Sequence, residues 1–210
     1  MMPTVVGTSR LFSNVILDAA ALSFLTIHLP NDCNHQYQLL FSNILHGNSF
    51  NNFVNKSRKC GPVLIIIRDD KNSIFGAFTK QDWDVHSTFF GSETCFLFSL
   101  FPRANIYQPT QPCGHFMYLN TDTENTFCGL GVGGQIGSFG LFIDGDSTLC
   151  FGSSHPCKNF NSPSLSGSTR FRILELEVWG VSMPKPTKSL DNSFDLLDSS
   201  VSVVFIFLLV

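Results

Sequence analysis

The 210 residues contain no CxxC pair, no GxSxG elbow and no GxxxxGK[ST] loop. The first absence removes the paired-cysteine redox motif and both halves of a zinc finger. The other two remove the serine-hydrolase nucleophile turn and the phosphate-cradling loop. Charge is scarce: only 14% of residues are charged, and 13 Lys and Arg face 16 Asp and Glu for a net charge of -3. No basic excess exists to neutralise a phosphate backbone, which disfavours nucleic-acid binding. Long apolar runs are also missing. Val201–Val210 is ten residues, about half of the ~20 needed to span a bilayer. Leu11–Leu29 is interrupted by Asn14, Asp18, Thr26 and His28.

What is abundant is phenylalanine: 22 copies, against two Trp and three Tyr. Phe has no polar handle, so most of these rings belong in a core. With 43% hydrophobic residues the chain is not of the disordered class. A chain of this length buries roughly 70% of its unfolded surface and needs no metal or disulfide staple. The seven Cys are odd in number and irregularly spaced. Met1–Arg10 lacks a positive n-region followed by an apolar stretch. The expectation is an unsecreted protein with reduced thiols, in which the sequon at Asn55 is unused. Met2 in place of Gly removes the myristoylation pattern.

Periodicity divides the chain. Leu11, Val15, Leu22, Leu25 and Leu29 predict an amphipathic helix. Tyr37, Leu40, Phe41, Ile44 and Leu45 predict a second helix ending near Gly47, and Asn48 or Ser49 caps a third that carries Phe50, Phe53 and Val54. Strands follow. Val63–Ile67 reads as a strand buried on both faces and pairs with Ser73–Thr79 through the Asp69–Asn72 turn. Thr94–Phe101, His115–Leu119 and Ser138–Asp144 are further strands. In Phe171–Trp179, Leu174, Leu176 and Val178 face inward, with Glu175 and Glu177 outward. Helices first and then many short strands, without βαβ alternation, predict an α+β, mainly β class: a two-layer antiparallel β-sandwich flanked by short helices. Three regions result: residues 1–36 as a helical flank, 37–181 as the domain, and 182–210 as a Pro/Lys/Asp linker with a short apolar tail. That tail reads as a frayed extension, with a membrane- or partner-touching tail as the alternative.

Several motifs carry chemistry on paper. Gly129–Gly134 spells GxGxxG, but lacks the preceding strand and following helix of a dinucleotide site. It reads as a tight glycine passage between strands. Asp144-Gly145-Asp146-Ser147-Thr148 matches the DxDxT motif of haloacid-dehalogenase-type phosphatases, with Asp144 as nucleophile and Asp146 as acid/base. Its late position in the chain favours an acidic turn instead. Cys113, His115, Cys128, Cys150, His155 and Cys157 lack regular metal-ligand spacing. Cys95 reads as core, and Trp83 and Trp179 as packing anchors.

Seven segments occur together in order: LLFSNILHGNSF (39–50), GPVLIIIRDDKNSIFGAF (61–78), CFLFSL (95–100), MYLN (117–120), GLGVGG with FGLFIDGD (129–146), CKNFNSPSLS (157–166) and LEVWGV (176–181). Together they resemble a TLDc domain, the module of oxidation-resistance proteins. The wording of residues 11–30, YLN and GLGVGG is most similar to the lysosomal, mTOR-associated subgroup. The resemblance implies a β-sandwich, resistance to oxidative stress, and binding to peripheral V-ATPase subunits. In the subgroup it also implies mTOR-pathway partners and a cytoplasmic location with peripheral association to the lysosomal membrane. It implies no catalytic residues, no cofactor and no metal. Gly47, Gly76, Gly129, Gly131, Gly134, Gly140, Asp144, Cys157, Phe160 and Trp179 recur in it as backbone and packing requirements. The expected function is a non-catalytic adaptor whose binding residues are unassigned. The alternative is an enzyme, with phosphatase-like Asp144 and Asp146 or a peroxide-reactive thiol at Cys157 or Cys113.

Overall fold

This computed structural model describes residues 4–6, 15–33, 36–86, 88–110, 114–124, 127–145 and 148–181. Strand β1 (Thr4–Val6) precedes helix α1 (Ala19–Thr26), and strand β2 (Gln36–Ser42) precedes helices α2 (Asn43–His46) and α3 (Phe50–Ser57). Strands β3 (Val63–Asp69), β4 (Ile74–Thr79), β5 (Phe96–Phe101) and β6 (Asn105–Tyr107) come next. They are followed by β7 (Met117–Asn120), β8 (Gly129–Gln135), β9 (Ser138–Asp144), β10 (Phe151–Ser153) and the long β11 (Arg170–Gly180). The domain is mainly β and sandwich-like, as the sequence predicts.

The strands pair in the order β6-β5-β4-β3-β11-β10-β9-β8-β7, with β2 on β11 and β1 on β2. All of these pairings are antiparallel except β1 with β2. Between the layers lies one apolar cluster. Val63, Ile65, Ile67, Phe75, Ala77 and Leu97 of one layer meet Leu119, Leu130, Val132, Leu141 and Ile143 of the other. Each fully buried side chain of this size contributes about 1.5–3 kcal/mol. A second cluster covers the outer face of the first layer, where Leu64, Ile66, Phe78, Phe96 and Phe98 pack under Ile16, Leu22, Leu25 and Leu29. Strand β3 is therefore apolar on both faces because both are covered, as its unbroken β-branched run predicts.

Several expectations need correction. The helix predicted from Leu11 starts at Ala19, because the Asp18 carboxylate accepts the Ala21 N–H at 2.8 Å and caps it there. Leu11 and Asn14 are outside the described residues. The helix predicted over Tyr37–Leu45 is largely strand β2. Its backbone is taken by β11, in the register Ser42 to Glu177 and Gln38 to Gly180. Tertiary pairing overrides the helical spacing, and Ile44 and Leu45 are left exposed on α2. The glycine run is strand β8, paired on both sides, and not a passage between strands. Its glycines make room for rings: a Cβ on Gly131 would sit 2.6 Å from the Phe139 ring. At Gly134, φ is +82° and a Cβ would meet the Ser138 carbonyl oxygen at 2.2 Å. Strands β6 and β10 are too short to show an alternating pattern, and the sequence reading missed them.

Strand β11 also departs from simple alternation. Its register against β3 slips between Ile173 and Glu175, a bulge that moves Leu174 to the surface and puts Ile173 in the core with Leu176 and Val178. Glu177, expected outside, is only 3% exposed. The segment around Ile16 covers that face and is fastened by the carboxylate itself: Oε1 accepts the Ile16 N–H at 2.8 Å and Oε2 accepts the Trp179 indole N–H at 2.8 Å. Burial pushes the Glu177 carboxyl above its usual range, against the pull of these donors.

Removing the acceptor leaves two buried donors unpaired, each costing about 1–3 kcal/mol. Urea unfolding of Glu177→Ala is expected to show a loss of about 2–5 kcal/mol. Glu175→Ala, which breaks a partly exposed pair with Arg68, is expected to lose under about 1 kcal/mol. Tyr37 gives a second test. Its hydroxyl lies 2.6 Å from the Thr26 hydroxyl, and burial pushes the phenol from 10.0 up to about 12. Because the folded value is the higher one, the stabilisation is complete below pH 10 and lost as pH rises towards 12. Tyrosinate absorbance is expected to show one of the three tyrosines ionising only near pH 12, together with unfolding.

Candidate functional site

The outer face of the second layer carries the cleft nearest to the acidic motif. It has a volume of about 450 Å³. Phe127, Phe139 and Phe142 form its apolar side, with the last two stacked at 4.6 Å. Asp144, Arg170, His155 and Cys128 supply its charged and titratable groups. Asp144 ends β9, where the strand delivers it to the cleft, and its Oδ2 accepts from the Arg170 guanidinium at 3.2 Å. Arg170 is 72% exposed and Asp144 23%, so water screens this pair. A phosphatase reading needs Asp146 beside Asp144 as acid/base, and Asp146 is outside the described residues.

The thiol candidates separate. Cys157 is 3% exposed and donates to Asn159 Oδ1 at 2.7 Å. Asn159 Oδ1 also accepts the Gly134 N–H at 2.9 Å, and its Nδ2 donates to the His115 carbonyl oxygen at 2.9 Å. Asn159 thus ties the end of β8 and the approach to β7 to the Cys157 turn, and the thiol is part of that knot. A reactive thiol needs access and a lowered pKa. Burial pushes Cys33 and Cys60 the other way. Cys113 is outside the described residues. Cys95 is core, as expected.

The paper zinc set is not assembled. Among the described residues, no three His, Cys, Asp or Glu side chains converge to hold a metal ion. His115 stacks on Phe89 at 4.7 Å, and Cys150 faces a different hollow from the one lined by Cys128 and His155. For the glycine motif, β8 leads through a turn into β9, so no helix N-terminus is available for a pyrophosphate. Trp83 is fully buried, edge-on to Phe90, and Trp179 rests on Glu177. Both are packing anchors.

Sequence reading missed three polar residues that organise the fold, Arg170 and Asn159 near this cleft and Glu177 on the first layer's outer face. Each sits in a stretch of ordinary wording, and each acts on a partner at least 25 residues away or on a segment whose packing is not local. Replacing Asp144 by Asn is expected to change the urea-unfolding free energy by less than about 1 kcal/mol, because the pair is screened. Aryl-phosphate hydrolysis by this variant is expected to equal that of the parent chain; a loss specific to the variant would make Asp144 a nucleophile.

Comparison with known proteins places this arrangement. The sequence profile of the TLDc domain matches residues 11–182. The mTOR-associated protein MEAK7 of Danio rerio is 36% identical over 194 residues, covering 90% of this chain and 42% of the relative. MEAK7 of Homo sapiens is 35% identical over 189 residues, covering 88% and 41% respectively. Oxidation resistance protein 1 of Xenopus laevis is 30% identical over 166 residues, covering 78% of this chain and 18% of the relative. The chain thus spans well under half the length of these relatives. By its profile match and its kinship with MEAK7, this chain belongs to the TLDc domain family.

Proposed function

We propose that this chain is a non-catalytic TLDc adaptor that docks on peripheral subunits of the V-ATPase at the cytoplasmic face of the lysosomal membrane. There it supports resistance to oxidative stress and mTOR-pathway signalling. The observation that carries this reading is that, among the described residues, the candidate reactive groups Cys157 and Asp144 already have partners. Cys157 is buried in the Asn159 knot, and Asp144 is paired with Arg170. Family membership supports the partner class: the TLDc profile matches residues 11–182, and relatives at 35–36% identity are named for mTOR association. The two-layer body contributes a rigid scaffold, on which surface loops carry binding more readily than core strands do.

Affinity capture from lysates tests the reading. The tagged chain is compared with a chain lacking residues 37–181 and with an unrelated β-sandwich of similar charge. Peripheral V-ATPase subunits are expected to enrich with the intact chain alone. Enrichment no greater than that of the unrelated sandwich would refute docking.

A further inference from the structure

One end of β11 presents a basic and aromatic surface that the adaptor reading does not use. Arg170 and Arg172 are two residues apart on the strand and so share a face. Phe151 of β10 is the register partner of Arg172. The Phe151 ring is 44% exposed, and the Arg170 guanidinium stands 5.7 Å from its centroid. Lys71 joins them from the β3–β4 turn, held close because the Asp70 N–H donates to the Arg172 carbonyl oxygen at 3.1 Å. These residues line a shallow hollow of about 620 Å³ in which Asp70 is the lining carboxylate. Arg170 is paired with Asp144, whereas Lys71 and Arg172 have no ion partner among the described residues. An exposed ring among cations favours a segment that alternates carboxylates with apolar side chains.

The chain carries such a segment. Asp191-Asn192-Ser193-Phe194-Asp195-Leu196-Leu197-Asp198 places three Asp around one Phe and two Leu, with no cation. Its reach fits. Strand β11 runs about 3.3 Å per residue, so Arg172 lies about 30 Å back from Val181, the last described residue. The stretch from Val181 to Asp191 spans up to about 33–36 Å. Pro184 and Pro186 favour the extended form of that stretch. We propose that residues 191–198 dock in cis on the Lys71–Phe151–Arg172 hollow, carboxylates to the cations and Phe194 to Phe151. An acidic segment of another protein would compete for the same surface. This docking is independent of the V-ATPase reading.

Zero-length carbodiimide coupling of the full chain tests it. The reagent joins a carboxylate to a lysine amine as an amide with loss of water, and the monomer is then mapped by mass spectrometry. Coupling of Asp191, Asp195 or Asp198 to Lys71 is expected to exceed coupling to Lys56, Lys59, Lys80 or Lys158 several-fold. It is expected to fall several-fold at about 1 M salt, where the screening length shrinks to about 3 Å, and in Arg172→Glu, a surface change. Even coupling to all these lysines, or no response to Arg172→Glu, would overturn the proposal. So would coupling that joins only differently labelled copies of the chain, which would assign the hollow to a second copy. As a second measurement, amide hydrogen exchange at residues 70–73 and 151–153 is expected to quicken when all three Asp are changed to Asn. Unchanged exchange would count against the docking.

Discussion

Strand β11 hydrogen-bonds β2 and β3 over its C-terminal part and β10 over its first residues, so both layers of the sandwich share one backbone. Most other features follow from that sharing. The core between the layers is closed on one side by a single continuous strand, which must bend and change its facing along its length. The bulge at Leu174 does this by adding one residue on β11 against β3. Asn43 then stitches the irregular spot: its Oδ1 accepts the Leu176 N–H at 2.8 Å, and its Nδ2 donates to the Leu174 carbonyl oxygen at 3.1 Å. A side chain from the short helix α2 thus satisfies backbone groups that a bulge would leave unpaired.

The phenylalanine content and the glycine-rich strand are two sides of one packing solution. Rings on the outer face of the second layer, Tyr118, Phe139 and Phe142, form their own small cluster with Phe89 and Phe127. They lie flat enough to pack only where the neighbouring strand has no side chain, as at Gly131. The run that spells a dinucleotide fingerprint is therefore a steric recess in a sheet. The same letters serve a phosphate in one context and an aromatic ring in another, and the element that follows them decides which.

The polar residues show a similar economy. Glu177, Asn159 and Asn43 each hydrogen-bond two or more backbone or side-chain groups, at least one of them distant in the chain. Buried groups of this kind specify how loops and flanking segments seat on the layers. A body so seated holds its outer surfaces in fixed positions. The exposed charges near Arg170 add a local basic spot to a chain whose overall charge is -3, so electrostatic selectivity is local rather than global.

Local pattern alone determined several elements here. The unbroken apolar run of β3, the turn after it and a helix cap at Asn48 or Ser49, which the structure places at Ser49, were legible because each depends on neighbours in the chain. The ordered set of seven segments also made the family legible. The identity of β2, the paired state of the glycine run and the burial of Glu177 were decided only in three dimensions. Tyr37–Leu45 satisfies helical spacing, yet it becomes strand because β11 supplies a ladder for its backbone. Glu177 alternates as a solvent residue should, yet it is buried because residues 15–33 return over that face and present it with donors. Periodicity reports which side chains prefer to share a face; which surface arrives to cover that face depends on contacts more than a hundred residues apart, as between Ile16 and Glu177.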